Sequence, residues 1–244
     1  MEDDGFKLVR SRRKCSRLKK TAVKSVDRIE GSGNDIEAAM ERADSKIEES
    51  GLGSWIINSI RLFLDNRRVL RVYLIGNGHF DAPWEPGAHQ LALIRRICRA
   101  FDAEMIFQEP CISAAEQKWL SLQEGIVIRD KPDVCFDIIG TDHGCIGIAV
   151  LLHGVHSLLN DFLAFNWSSN LHEILILCND YRDIDLIGGT AETNAEFPVL
   201  NFYREHARFV AFPEYSPNPQ FFHNSSLAYL VTGTSLPELT SIDC

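Results

Sequence analysis

The sequence predicts an α/β fold: a mostly parallel sheet with helices on both of its faces, in three layers. Three observations predict it. Short apolar runs rich in Val, Ile and Leu alternate with segments of helical periodicity. Within the runs, successive positions are apolar rather than alternate ones, the pattern of strands buried on both faces. Gly, Pro, Asn and Asp punctuate the boundaries between segments.

The elements follow in order. Residues 1–50 are rich in charge, Gly and Ser and read as a basic and polar arm, largely disordered. A weak helix is expected over Ile36–Glu49, with apolar positions too small and few to bury much. Trp55–Leu64 carries Trp55, Ile56, Ile60, Phe63 and Leu64 at helical spacing and should pack on the domain. Val69–Ile75 is a strand ending in Gly76-Asn77-Gly78. Ala88–Phe101 is a helix with Leu91, Ile94, Ile97 and Cys98 on one side. Glu104–Phe107 is the second strand, stopped by Glu109-Pro110. Ser113–Gln123 is a helix, because Ser113 followed by Glu116 forms a capping box, and Gly125 closes it. Ile126–Ile128 and Ile146–Leu152 are strands, Val155–Phe165 a helix, Glu173–Leu177 a strand, and Arg208–Phe212 a further strand. The domain so read spans 51–230, with a tail over 231–244. This is a Rossmann-like arrangement, whose ligands bind beyond the carboxyl ends of the strands. The polar signals Gly76–His79, Glu109-Pro110, His153-Gly154 and Asn179-Asp180 fall at those ends.

Charge and cysteine usage narrow the classes. The chain has 244 residues, 45% hydrophobic, with 25 basic and 34 acidic side chains and a net charge of −9. Residues 1–30 hold ten Lys/Arg and five Asp/Glu, a net of +5 that leaves −14 for the rest. Direct nucleic-acid binding by so acidic a body is not expected, because phosphate contacts need clustered cations. The segment Arg10–Lys20 has seven basic residues in eleven. It reads either as an import signal or anionic-surface patch, or as a solvated tail. No secretory signal is expected from the acidic first residues, and no run reaches the roughly 18 apolar residues that span a bilayer. Seven cysteines, an odd number without C-x-x-C spacing, indicate a reducing compartment.

The motifs that carry chemistry are sparse. Gly76-Asn77-Gly78 follows a strand and precedes a helix, but Asp81 stands where a dinucleotide fingerprint has its third glycine, and Pro83 and Pro86 lengthen the loop. A structural turn is the simpler reading. Glu109 stands where a Rossmann carboxylate would meet a ribose, or serves its own loop. His153 and His156, three apart, do not make a metal site without further ligands. Asp142-His143-Gly144-Cys145 sets a base beside a thiol, but strand neighbours face opposite ways. His172-Glu173 lacks the second histidine of H-E-x-x-H, since position 176 is Ile176. No G-K-[ST] loop, G-x-S-x-G elbow or C-x-x-C-H heme motif occurs. No catalytic motif, metal site or cofactor is thereby named, and an enzyme is the less expected reading.

Three blocks resemble the sensitivity-to-red-light-reduced (SRR1-like) family. The block 73–94 is similar to its strand, glycine loop and later glutamine, here Gln90. The block 107–128 is similar to its D-P-x-[FY]-[ST]-x-x-E-x-x-x-L segment: Pro110, Glu116 and Leu120 match, and Glu109 replaces the aspartate. In 149–181, His153, Asn160, Leu163, Asn166, Trp167 and Asn179 match, while Leu152, Gly154 and Cys178 replace a proline, a cysteine and a glycine. The resemblance implies a regulatory protein of cytoplasm and nucleus that works through protein partners. Its implied roles are circadian clock regulation: light-signalling input in plants, clock-gene expression and heme biosynthesis control in animals. The alternative is a cryptic enzyme or sensor that binds a nucleotide-like small molecule at the carboxyl ends of the strands. The candidate pocket for either is Gly76, Asn77, Gly78, His79, Gln90, Glu109, His153 and Asn179.

Overall fold

The computed structural model describes residues 28–131, 134, 138, 139, 144–182, 197–231 and 233–236. The basic segment Arg10–Lys20, Asp142, His143 and most of the tail lie outside these residues.

A capping box opens the first helix, α1 (Gly33–Ser50): the Ser32 hydroxyl accepts the Asp35 N–H, and Asp35 accepts the Ser32 N–H at 2.8 Å. Gly51 ends it in the left-handed conformation. Ile36, Ala39, Met40, Ala43 and Ile47 recur at helical spacing, and all are buried. The expectation that this segment buries little is therefore corrected. The physical reason is that alanines let α1 approach α3 closely, so short side chains are covered in full. The packed body thus includes residues expected in the arm. Helix α2 (Leu52–Leu64) follows, burying Ile56, Ile60 and Leu64 as its periodicity predicts.

The described strands are β1 (Val69–Ile75), β2 (Glu104–Gln108), β3 (Ile126–Ile128), β4 (Ile146–Leu151), β5 (Ile174–Asn179), β6 (Ala207–Ala211) and β7 (Ser225–Leu230). They form one sheet in the order β3-β2-β1-β4-β5-β7-β6. The first five run parallel; β7 is antiparallel to both β5 and β6. The described helices between strands are α3 (Pro86–Phe101), α4 (Ala114–Ser121), α5 (His156–Phe165) and α6 (Pro198–His206).

Two hydrophobic clusters divide the strands by alternate residues. Val72, Leu74, Ile148, Val150, Leu175 and Leu177 face α1–α4. Tyr73, Ile75, Ala149, Leu151, Ile176 and Cys178 face α5 and α6. Period-two alternation on strands covered on both sides gives the three layers that the apolar runs predict. Helix α3 is buried nearly all round, His89 and Gln90 included, because it lies between the sheet and α1 and α2. The antiparallel pair β6–β7 and helix α6 extend the parallel core; of these only β6 is foreseen in the sequence. No described helix is long and apolar enough to cross a membrane.

Candidate functional site

The carboxyl ends of β1 and β2 are tied together by one carboxylate. Gly76 (φ 73°) and Gly78 (φ 70°) take the left-handed conformation that turns the chain beyond β1. The Gly76 N–H donates to the Gln108 carbonyl at 2.9 Å, continuing the β1–β2 ladder. The Gly78 N–H then donates to Oε2 of Glu109 at 2.8 Å. The other oxygen of Glu109 accepts the Cys111 N–H at 3.0 Å.

Between the two glycines, Asn77 is buried and its Nδ2 donates to the Gly78 and Gly87 carbonyls at 3.1 and 3.2 Å. Its Oδ1 is buried without a partner among the described residues. A Cβ on Gly87 would lie 2.3 Å from the His79 carbonyl oxygen and 2.7 Å from that of Asn77. A glycine at 87 is what lets the first turn of α3 rest on the loop, the role of a fingerprint's last glycine. The fingerprint spacing puts that glycine at position 81, where this chain has Asp81.

Asp81 has its own function in the loop. Its buried carboxylate pairs with the Arg28 guanidinium and accepts the Gly31 N–H at 2.7 Å. Burial pushes the Asp81 carboxyl up, but the Arg28 guanidinium and the Gly31 N–H outweigh it and hold the group below the usual carboxylate range. The segment before α1 is thus fastened to the glycine loop.

His79 reaches the other way, toward α4. Its Nδ1 lies 2.9 Å from Oε2 of Glu116. Glu116 is fully buried and also accepts the Phe80 N–H at 2.6 Å and the Ser113 N–H at 2.8 Å. The capping box read in the sequence is present. What the sequence does not signal is that its glutamate serves the glycine loop as well.

The ends of β4 and β5 form a second group. His153 takes a left-handed conformation (φ 54°), and its N–H donates to Oδ1 of Asn179 at 3.1 Å. Asn179 Nδ2 donates to the Gly154 carbonyl at 3.2 Å. The His153 ring donates from Nε2 to the His223 carbonyl at 3.1 Å, just before β7. His156 turns to the Tyr181 hydroxyl at 3.2 Å, so the two histidines part. Among the described residues, no three His, Cys, Asp or Glu side chains are arranged to hold a metal ion.

The structure therefore brings Gly76, Asn77, Gly78, His79 and Glu109 together, and His153 with Asn179, on adjacent strand ends. Gln90 is buried within α3, apart from both groups. Among the described residues, two recesses open on this edge. One of about 160 Å³ lies beside Glu109, lined by Gln108, Gln117, Arg129 and Lys131. Another of about 400 Å³ lies beside Asp180, lined by Phe212, Tyr215, Phe222 and Ser225. A recess of about 470 Å³ lies at the opposite end of β2 and β3, between Arg95, Arg99, Glu104 and Glu124, away from every candidate residue.

Comparison with known proteins adds three findings. The SRR1 domain family model matches residues 41–229. No curated protein sequence matches significantly. Among solved structures, the chain is similar to one of a fibrillarin/Nop5p complex, with a TM-score of 0.36, 15% identity, and 70% of this chain and 79% of that chain covered. It is also similar to a putative methyltransferase from an antibiotic biosynthesis pathway of Anabaena variabilis, with a TM-score of 0.32, 14% identity and 64% of each chain covered. Likeness at these scores says nothing of function.

Proposed function

The chain belongs to the SRR1 domain family, and we propose that it is a regulatory protein whose domain binds a nucleoside-like small molecule at the carboxyl edge of the sheet. One observation carries the ligand reading: the Glu109 carboxylate at the end of β2 accepts the Gly78 N–H from the loop that ends β1. In open parallel sheets, a crevice beyond the strand ends takes nucleosides, and an acidic group on the second strand meets the ribose. Each Glu109 oxygen takes one backbone N–H. A carboxylate offers about four acceptor positions, so about two remain for a ligand diol.

The regulatory roles implied by the family resemblance form part of the same proposal: circadian clock input or clock-gene expression, and control of heme biosynthesis, in cytoplasm and nucleus, through protein partners. Exposed Trp84 and Val155, on the loops after β1 and β4, support a partner surface at this edge.

Thermal unfolding with adenosine, adenosylmethionine, NAD and ATP tests the ligand reading. A ligand present at 100 times its Kd is expected to stabilise the chain by about 2.7 kcal/mol. Glu109→Ala should remove that shift while the unliganded variant still unfolds cooperatively. No shift with any nucleoside contradicts the reading.

A further inference from the structure

The His79 residue is fixed at both its backbone and its ring. Its carbonyl oxygen rests against Gly87 with no room for a methyl group. Its Nδ1 meets Oε2 of the buried Glu116 at 2.9 Å. A carboxylate flanked by two backbone N–H donors acts as acceptor, so Nδ1 carries the ring proton and a neutral ring has its lone pair on Nε2. Nε2 has no hydrogen-bond partner among the described residues, and the side chain is 27% exposed. Helix capping does not account for this ring, because a capping box is complete with Ser113 and Glu116 alone. The loop's own buried carboxylate, Asp81, is taken by Arg28 and Gly31.

We propose that Nε2 of His79 is a proton-accepting site for a hydroxyl group of a small molecule seated on the Gly76–Gly78 loop, with Glu116 as its positioning residue. The inference rests on the ligand reading of that loop and assigns it a chemical function. In the step, the ligand O–H bond breaks, an N–H bond forms at Nε2, and the electron pair stays on the ligand oxygen. The Glu116 carboxylate fixes the ring tautomer and stabilises the imidazolium that results.

Diethyl pyrocarbonate, which acylates an unprotonated imidazole nitrogen, reads this site in the full chain without any ligand. His206 is the internal control: its Nδ1 donates to the Phe202 carbonyl at 2.9 Å, so a carbonyl replaces the carboxylate. Peptide mapping by mass spectrometry, with rates taken from the alkaline plateau where both rings are neutral, is expected to show His79 modified several-fold faster than His206. Glu116→Gln, which preserves a capping box, should lower the His79 rate to that of His206. Equal rates in the unaltered chain, or a His79 rate unchanged in Glu116→Gln, overturn the proposal. Should the variant not fold, ring ¹⁵N spectra of the unaltered chain decide: the Nδ1–H tautomer at His79 is expected, and the Nε2–H tautomer overturns it. A fast, Glu116-dependent His79 in a chain that no nucleoside stabilises would overturn the nucleoside reading alone.

Discussion

A methyl group at position 87 would meet the His79 carbonyl oxygen at 2.3 Å. Since that neighbour is backbone and cannot swing away, Gly87→Ala is expected to cost about 1–3 kcal/mol and to displace the glycine loop. A lower urea midpoint with an unchanged slope would show it; an unchanged midpoint would mean that loop and helix are not in close contact. Asp81 supplies a second test at this scale. Its folded-state carboxyl lies below the ordinary value, so its contribution is present above that value and is lost as the pH falls through the folded one. Asp81→Asn should therefore flatten the acid limb of the stability profile between those two points and lower stability at neutral pH. The spacing of Gly76 and Gly78 was legible in the sequence, and so was the Ser113–Glu116 pair. Gly87 was not, since the loop 79–86 separates it from the first two glycines. The second partner of Glu116 was not either, because His79 lies 37 positions away and only the sheet brings it near.

At the scale of elements, β1, α2 and the parallel strands follow from apolar patterning, and helix α1 shows where that patterning underrates a segment. Its alanines score as weak hydrophobes, yet they let the helix settle against α3 until Ile36 and Ile47 are fully covered. Ile47→Ala is accordingly expected to destabilise the chain by about 2–5 kcal/mol, measured by chemical denaturation. A chain beginning at residue 28 should fold with a cooperative transition. One beginning at residue 51 should expose the face of α3 and lose that transition. Equal behaviour of the two would place α1 outside the cooperative unit. Strand β7 is not legible in the sequence because Ser225 and Ser226 open it, and its antiparallel pairing with β5 has no local signal. Helix α6 begins at Pro198, a helix-start signal that the stretch after β5 gave no reason to look for.

The whole molecule joins an acidic body to a basic N-terminal segment, and Arg28 is the nearest described residue to that segment. Through Asp81, it fastens the chain before α1 to the loop proposed to hold the ligand. The sheet order sets the ends of β1 and β4 side by side, with β2 and β5 outside them, so both groups of candidate residues share one edge. That gathering was legible from strand order alone, because parallel strands present the same end to the same side. The division into two groups was not. It depends on the Glu109–Gly78 and His153–His223 hydrogen bonds, which no spacing encodes. Ligand binding at the carboxyl edge is tested most directly by backbone amide chemical-shift mapping of the full chain during titration with adenosine, adenosylmethionine or NAD. Saturable shifts centred on Gly76–His79 and Glu109–Cys111 are expected. Saturable shifts confined to the recess between Phe212 and Ser225, or none with any of the three, would contradict it.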